Sequence, residues 1–194
     1  MIIYLHGFNS TGESIKGLAI QKALKNEISV YTPTYHYDPA RAINDLTSYI
    51  AQKIAQHPED KKCMIIGSSL GGFYAQYLGR QFPGTQVVLI NPALGPIESL
   101  KQHLGENVNY YSGEKYILTP QHLEALKRFD IAEPCLEPIP TLLLIDKGDE
   151  LISFHHAVSK YQSCGKLVLY EGGNHQFQHL PEAIAEIKKF YFLV

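Results

Sequence analysis

No tract of this 194-residue chain approaches the ~20 consecutive apolar residues that a helix needs to cross a bilayer. Basic residues number 17 against 19 acidic ones, for a net charge of −2, and no basic stripe runs along the sequence. These absences argue against a membrane span and against nucleic acid as a partner. Cysteine is scarce: Cys63, Cys135 and Cys164 are odd in number, widely spaced and contain no C-x-x-C. That usage predicts free thiols and a reducing, cytoplasmic setting. The apolar start, Met1 to Leu5, is too short for a signal peptide and lacks a cationic leader, so it reads as a first strand. Repeats and low-complexity tracts are missing too.

What is present suits one globular domain spanning 1–194. Hydrophobic residues make up 45% and charged residues 19%. A chain of this length buries roughly 70% of its unfolded surface, enough to dispense with a metal or disulfide staple. Short, almost wholly apolar runs are expected as strands at Ile2–Leu5, Ile28–Thr32, Cys63–Ile66, Gln86–Ile90, Thr141–Ile145 and Lys166–Tyr170. Continuous rather than alternating hydrophobicity is the mark of parallel strands covered on both faces. Between them lie helical patterns: Ser14–Lys25 with Ile15, Leu18, Ala19 and Leu24, then Pro39–Gln56, Gly71–Phe82 and Pro181–Leu193. The alternation predicts an α/β fold with a doubly wound, mostly parallel, six-stranded sheet. Residues 95–140 break the rhythm. They hold Tyr110, Tyr111, Tyr116, Ile117 and Leu118 and a helix capped by Thr119 with Pro120 at its first position. This stretch reads as a small lid or an extended crossover.

The chemistry centres on Gly67-Ser68-Ser69-Leu70-Gly71, a G-x-S-x-G between an apolar strand and a helix. On a strand-to-helix turn this is a nucleophile elbow: glycines permit the sharp turn, and the serine emerges at a helix N-terminus, where negative charge is favoured. A serine hydroxyl needs a base, a carboxylate to orient the base, and N–H donors for the developing oxyanion. His175 suits the base, on the glycine-rich Glu171-Gly172-Gly173-Asn174 loop after a late strand. His179 lies four residues on and suggests a metal pair, but no third ligand is apparent, so no metal is expected and His179 reads as a helix-surface residue. Asp146, Asp149 and Glu150 follow the strand before it. Asp149 is preferred as the acid, Asp146 is the runner-up that could cap the loop, and Glu150 is expected to be exposed. The order Ser69, Asp149, His175 is that of α/β-hydrolases. Leu70 N–H, with Phe8 N–H from the His6-Gly7-Phe8-Asn9-Ser10 loop, is the expected oxyanion hole; Asn9 is the second choice, and His6 is expected to brace that loop.

Those segments, together with Asn91-Pro92-Ala93, Gly148-Asp149-Glu150 and Gly172-Gly173-Asn174-His175, resemble the compact α/β-hydrolases of bacteria, specifically the YqiA-like esterases, over nearly the whole chain. The resemblance implies strand order 2-1-3-4-5-6 and hydrolysis of carboxylic esters or acyl thioesters without a cofactor. The same triad would serve an acyltransferase, and a non-catalytic binding protein on this fold is a third reading.

Overall fold

The computed structural model describes residues 1–58, 60 and 62–193. Six parallel strands form the main sheet: β1 (Ile2–Leu5), β2 (Val30–Tyr31), β3 (Met64–Ser68), β4 (Gln86–Ile90), β7 (Thr141–Asp146) and β8 (Lys166–Tyr170). Their order is β2-β1-β3-β4-β7-β8, which is the expected 2-1-3-4-5-6 for the sheet strands counted alone. The helices are α1 (Ile15–Leu24), α2 (Pro39–Gln56), α3 (Leu70–Gln81), α4 (Pro96–Lys101), α5 (Pro120–Leu126), α6 (Phe154–Tyr161) and α7 (Leu180–Leu193). None is long and apolar enough to cross a membrane among the described residues.

Side chains alternate across a strand, and the core divides accordingly. Ile3, Leu5, Ile65, Val87, Leu89, Leu143 and Ile145 face α2, α3 and α6 in one cluster. Ile2, Tyr4, Met64, Ile66, Val88, Ile90, Leu142 and Leu144 face α1 and α7 in another. Both halves of each central strand are therefore apolar, which is why these strands read as unbroken runs.

Several expectations change. The face of α1 is not the one its apolar residues suggested: Ile15 and Leu18 are 71% and 44% exposed, while Gly17, Ile20 and Leu24 are buried. Ser14 caps the helix through its side chain and Gly17 N–H. The resulting phase sets Gly17 so close to Tyr4 that a Cβ there would lie 2.9 Å from the ring. The edge strand β2 shrinks to Val30–Tyr31, and β3 extends to Ser68, paired with Ile90.

The 95–140 stretch contains an unforeseen antiparallel hairpin, β5 (Gly105–Val108) with β6 (Lys115–Leu118). Its turn is held by the Asn109 side chain, which accepts from Tyr111 and Ser112 N–H, and by Gly113 at φ 73°. As expected, Thr119 caps α5, and a 3-10 turn carries the helical path on to Phe129.

Two of the three thiols are not free: Cys135 and Cys164 form a disulfide, with Cα atoms 5.4 Å apart. The chain leading into β7 runs beside α6, where Lys160 Nζ donates to Ile131 O and pairs with Asp130, and this path brings the two cysteines together. Cysteine usage therefore gives no argument for a reducing compartment. Cys63 is unpaired, and burial pushes its thiol up to about 11.

Candidate active site

Ser69 sits between β3 and α3 with φ 54° and ψ −122°. A non-glycine residue held there costs of order 1–3 kcal/mol, which the surroundings must offset. They do so through the backbone: Ser69 N–H donates to Ile90 O, and Ser69 O accepts from Gly72 and Ala93 N–H. The flanking glycines are steric necessities. A Cβ on Gly67 would stand 2.2 Å from Gly71 O, and one on Gly71 would stand 2.2 Å from Leu5 O. A serine before a helix usually caps it. Ser69 makes no such bond, and its hydroxyl turns instead to His175.

Ser69 Oγ lies 3.0 Å from His175 Nε2, and His175 Nδ1 lies 2.9 Å from Asp149 Oδ2. An ionised carboxylate can only accept, so Nδ1 carries the proton and Nε2 is left to accept from the serine. The other Asp149 oxygen accepts from Ile152 and Leu151 N–H at 2.8 and 2.9 Å. Burial pushes the Asp149 carboxyl up, but the bond from His175 and those two amides pull it down further, and it ends below its ordinary value. The Asp149 side chain is only 3% exposed. Glu150 is exposed as expected, yet its carboxylate accepts His175 N–H at 3.0 Å.

Asp146, fully buried at the end of β7, has a different task. It accepts from Gln178 N–H, Asn174 N–H and His179 Nδ1–H at 2.7, 3.3 and 2.7 Å. It thus grips both ends of the loop that carries His175. Gly173, at φ 75°, lies against this carboxylate with no room for a Cβ. His179 is not a plain helix-surface residue: it is paired with Asp146 and stacked on Tyr170 at 4.8 Å. His175 and His179 thus direct Nδ1 to separate carboxylates, and no cluster of three metal-ligating side chains occurs among the described residues. Asn91, at φ 40°, completes the support. Its side chain donates to Asn174 O and accepts from Asp146 N–H. Reading roles from the sequence missed Asn91; its signal was the place of Asn91-Pro92-Ala93 immediately after a strand.

The loop after β1 passes directly over the serine: a Cβ on Gly7 would lie 3.2 Å from Ser69 Cβ. Leu70 N–H, first in α3, and Phe8 N–H have no protein partner among the described residues. Both residues line the cleft beside Ser69. His6 braces the loop from behind. Its Nδ1–H donates to Gly7 O, its ring stacks on Tyr35 at 4.0 Å, and burial lowers it to about 4, so it stays neutral. Asn9, at φ 52°, accepts from the Tyr116 hydroxyl through its side-chain oxygen.

The cleft above Ser69 and His175 has a volume of about 690 Å³. Phe8, Leu100, Tyr110, Tyr111, Leu151 and Phe177 supply much of its apolar wall. Residues 95–140 thus reach the cleft, but through α4 and the hairpin turn. Tyr116 and Leu118 are instead buried in the core and Ile117 is exposed, because one face of a hairpin strand packs inward and the other faces out. The hairpin is latched to the loop after β1: Asn109 Nδ2 donates to Ser10 O, Tyr110 N–H to Asn9 O, and the Tyr116 hydroxyl to Asn9.

Comparison with known proteins agrees with this architecture. The model of an uncharacterised protein family (UPF0227) matches residues 1–192. A UPF0227 protein of Serratia proteamaculans (strain 568) is 28% identical over 198 residues, covering 98% of each chain. Among solved structures, alpha/beta hydrolase domain-containing protein 10 from mouse superposes with a TM-score of 0.70 at 15% identity, covering 97% of this chain and 88% of its own. Est1E from Butyrivibrio proteoclasticus gives 0.69 at 18% identity, covering 97% and 85%. The esterase PF2001 of Pyrococcus furiosus gives 0.70 at 16% identity, covering 97% and 79%. The fold is that of an α/β-hydrolase.

Proposed function

The chain belongs to the UPF0227 family, compact α/β-hydrolases of the YqiA-like type, and from that premise we propose that it is a serine hydrolase of carboxylic esters or acyl thioesters. One observation carries the reading: the unbroken hydrogen-bonded chain from Ser69 through His175 to Asp149, opening on a cleft. His175 Nε2 takes the serine proton as Oγ bonds to the substrate carbonyl. The oxyanion that forms faces the Leu70 and Phe8 N–H groups. His175 returns its proton to the departing alcohol or thiol, leaving an acyl-Ser69 that water cleaves by the same steps. An esterase among the structural neighbours is consistent with this chemistry. The chain works as one domain in which α4 and the hairpin turn wall the cleft, the hairpin being held by three bonds to Asn9 and Ser10. The decisive experiment is turnover on acyl esters and acyl-CoA thioesters of graded length. Complete inertness toward both series, with the protein folded, rejects the reading, and product only when an alcohol or thiol acceptor is added makes the protein an acyltransferase.

The pH dependence has a defined sign. Only neutral imidazole accepts the serine proton, so kcat/KM is lost in acid and gained as the pH rises. Asp149, held below its ordinary value, is ionised throughout that rise, and His6 is already neutral. A rate profile taken from acid to neutral pH should therefore rise. A rate falling over that range would contradict His175 as the base.

Tyr110 and Tyr111, 82% and 50% exposed at the hairpin turn, form the outer wall of the cleft. Replacing both by serine removes aromatic surface from an acyl chain long enough to reach them, without touching the triad. We expect kcat/KM on long-chain esters to fall about tenfold more than on acetate esters, with the difference in KM. Equal loss across chain lengths would show that the hairpin acts through the Asn9 loop instead.

A further inference from the structure

Lys16 has no part in the chemistry above, yet it lines the same cleft. It is the second residue of α1, placed there by the cap at Ser14 that also turned Ile15 toward the cleft. Its Nζ donates to Gln176 O at 3.1 Å, one residue from His175. An ammonium has three donors, so two remain, and no carboxylate pairs with it among the described residues. The described lining of the cleft contains no aspartate, glutamate or arginine. Burial lowers the Lys16 ammonium from its ordinary value against the opposing pull of Asp149 and Asp146. Those two carboxylates are already taken by His175 and His179. The cleft therefore holds a partly desolvated cation beside the catalytic base, with nothing anionic on its walls.

We propose that Lys16 selects the substrate, favouring esters that carry a carboxylate within a few bonds of the scissile carbonyl. The inference rests on the ester-hydrolase reading and narrows it. A carboxylate offers two acceptor oxygens to the two remaining donors and restores the solvation the ammonium gives up in the cleft. The contact to Gln176 sets the distance: an anion on Lys16 lies close to His175, hence close to the reacting carbonyl. The phosphates of an acyl-CoA, a pantetheine arm away from the thioester, do not meet that requirement. The alternative role for Lys16 is a clamp that only holds the His175 loop, and the two roles differ in what they do to neutral substrates.

The test compares wild type with Lys16→Met and Lys16→Arg on matched pairs. Monomethyl adipate against dimethyl adipate places the carboxylate on the acyl side, and 4-butyryloxybenzoate against its methyl ester places it on the leaving side. Each variant is compared with wild type on the same substrate, so intrinsic reactivity cancels. For at least one pair, Lys16→Met should lower kcat/KM on the carboxylate about tenfold or more beyond its effect on the neutral partner, chiefly through KM, and Lys16→Arg should restore most of it. Equal loss on both members of each pair would make Lys16 a clamp and overturn the proposal, as would no loss on any substrate. Wild-type turnover of neutral esters with no Lys16-dependent preference leaves the hydrolase reading standing and removes this one. A folded wild type inert toward all four but active on the graded acyl esters or thioesters removes this proposal alone, and one inert toward those series as well removes both.

Discussion

Ser69→Ala lowers kcat by about 10⁶-fold while the protein remains folded. The substitution keeps the Cβ that fills the space against Gly7 and leaves untouched the backbone bonds that hold φ at 54°, so the elbow survives. What disappears is the oxygen that would form the acyl-enzyme. His175→Ala falls to the same level, because a serine without its base is hardly better than no serine, and the double variant is no worse than either single one. A fluorophosphonate probe should label the wild type at Ser69 and neither variant. Labelling of Ser69→Ala equal to wild type, or appreciable turnover by it, would place the nucleophile elsewhere. Circular dichroism and thermal melts close to wild type show that the losses are chemical.

Asp149→Asn and Asp146→Asn, one atom apart in chemistry and three positions apart in sequence, should fail in different ways. In Asp149→Asn the side chain keeps an oxygen for the Ile152 and Leu151 amides but can turn an amide N–H₂ toward His175 Nδ1. The imidazole then adopts the wrong tautomer, and turnover drops about 10⁴-fold with the fold intact. At 146 the carboxylate satisfies three donors from the loop and none from the reacting atoms. An asparagine there leaves a buried donor unmatched and destabilises the protein by roughly 1–3 kcal/mol, read as a lower melting temperature, with a smaller loss in rate. An inactive, fully stable Asp146→Asn beside an active Asp149→Asn would exchange the two roles.

Legibility in the sequence followed the physics of each segment. The strands that are buried on both faces announced themselves as apolar runs, and Ser69 stood out because steric crowding at 67 and 71 admits only glycine. His175 was legible from the two glycines whose positive φ values turn its loop across the sheet. The hairpin was not, since Gly105-Glu106-Asn107-Val108 is half-exposed and carries no alternation of apolar side chains. The face of α1 differs from the expected one because Ile15 lines a cleft and Leu18 faces solvent instead of a core, and local pattern does not distinguish these. Asp146, His179 and Asn91 cooperate only through contacts between separate strand ends and a distant loop, and the Cys135–Cys164 pairing depends on the path of the chain past α6. Beyond the place of Asp146 and Asn91 at strand ends, neither has a signature in local sequence.

Asn9 belongs to the loop that passes over Ser69, yet its side chain and carbonyl are engaged by the hairpin far along the chain, through Tyr116 and Tyr110. The surface that decides what enters the cleft and the backbone that would receive the oxyanion are therefore not independent modules. A hairpin tied to that loop cannot be altered at its anchoring side chains without consequence for the backbone beside Ser69. A change at residue 116 removes the hydroxyl that holds the Asn9 side chain and so perturbs the loop at 7–9, whereas a change at 110 keeps the backbone bond to Asn9 O; drift in specificity is coupled to drift in rate at the first position and not at the second.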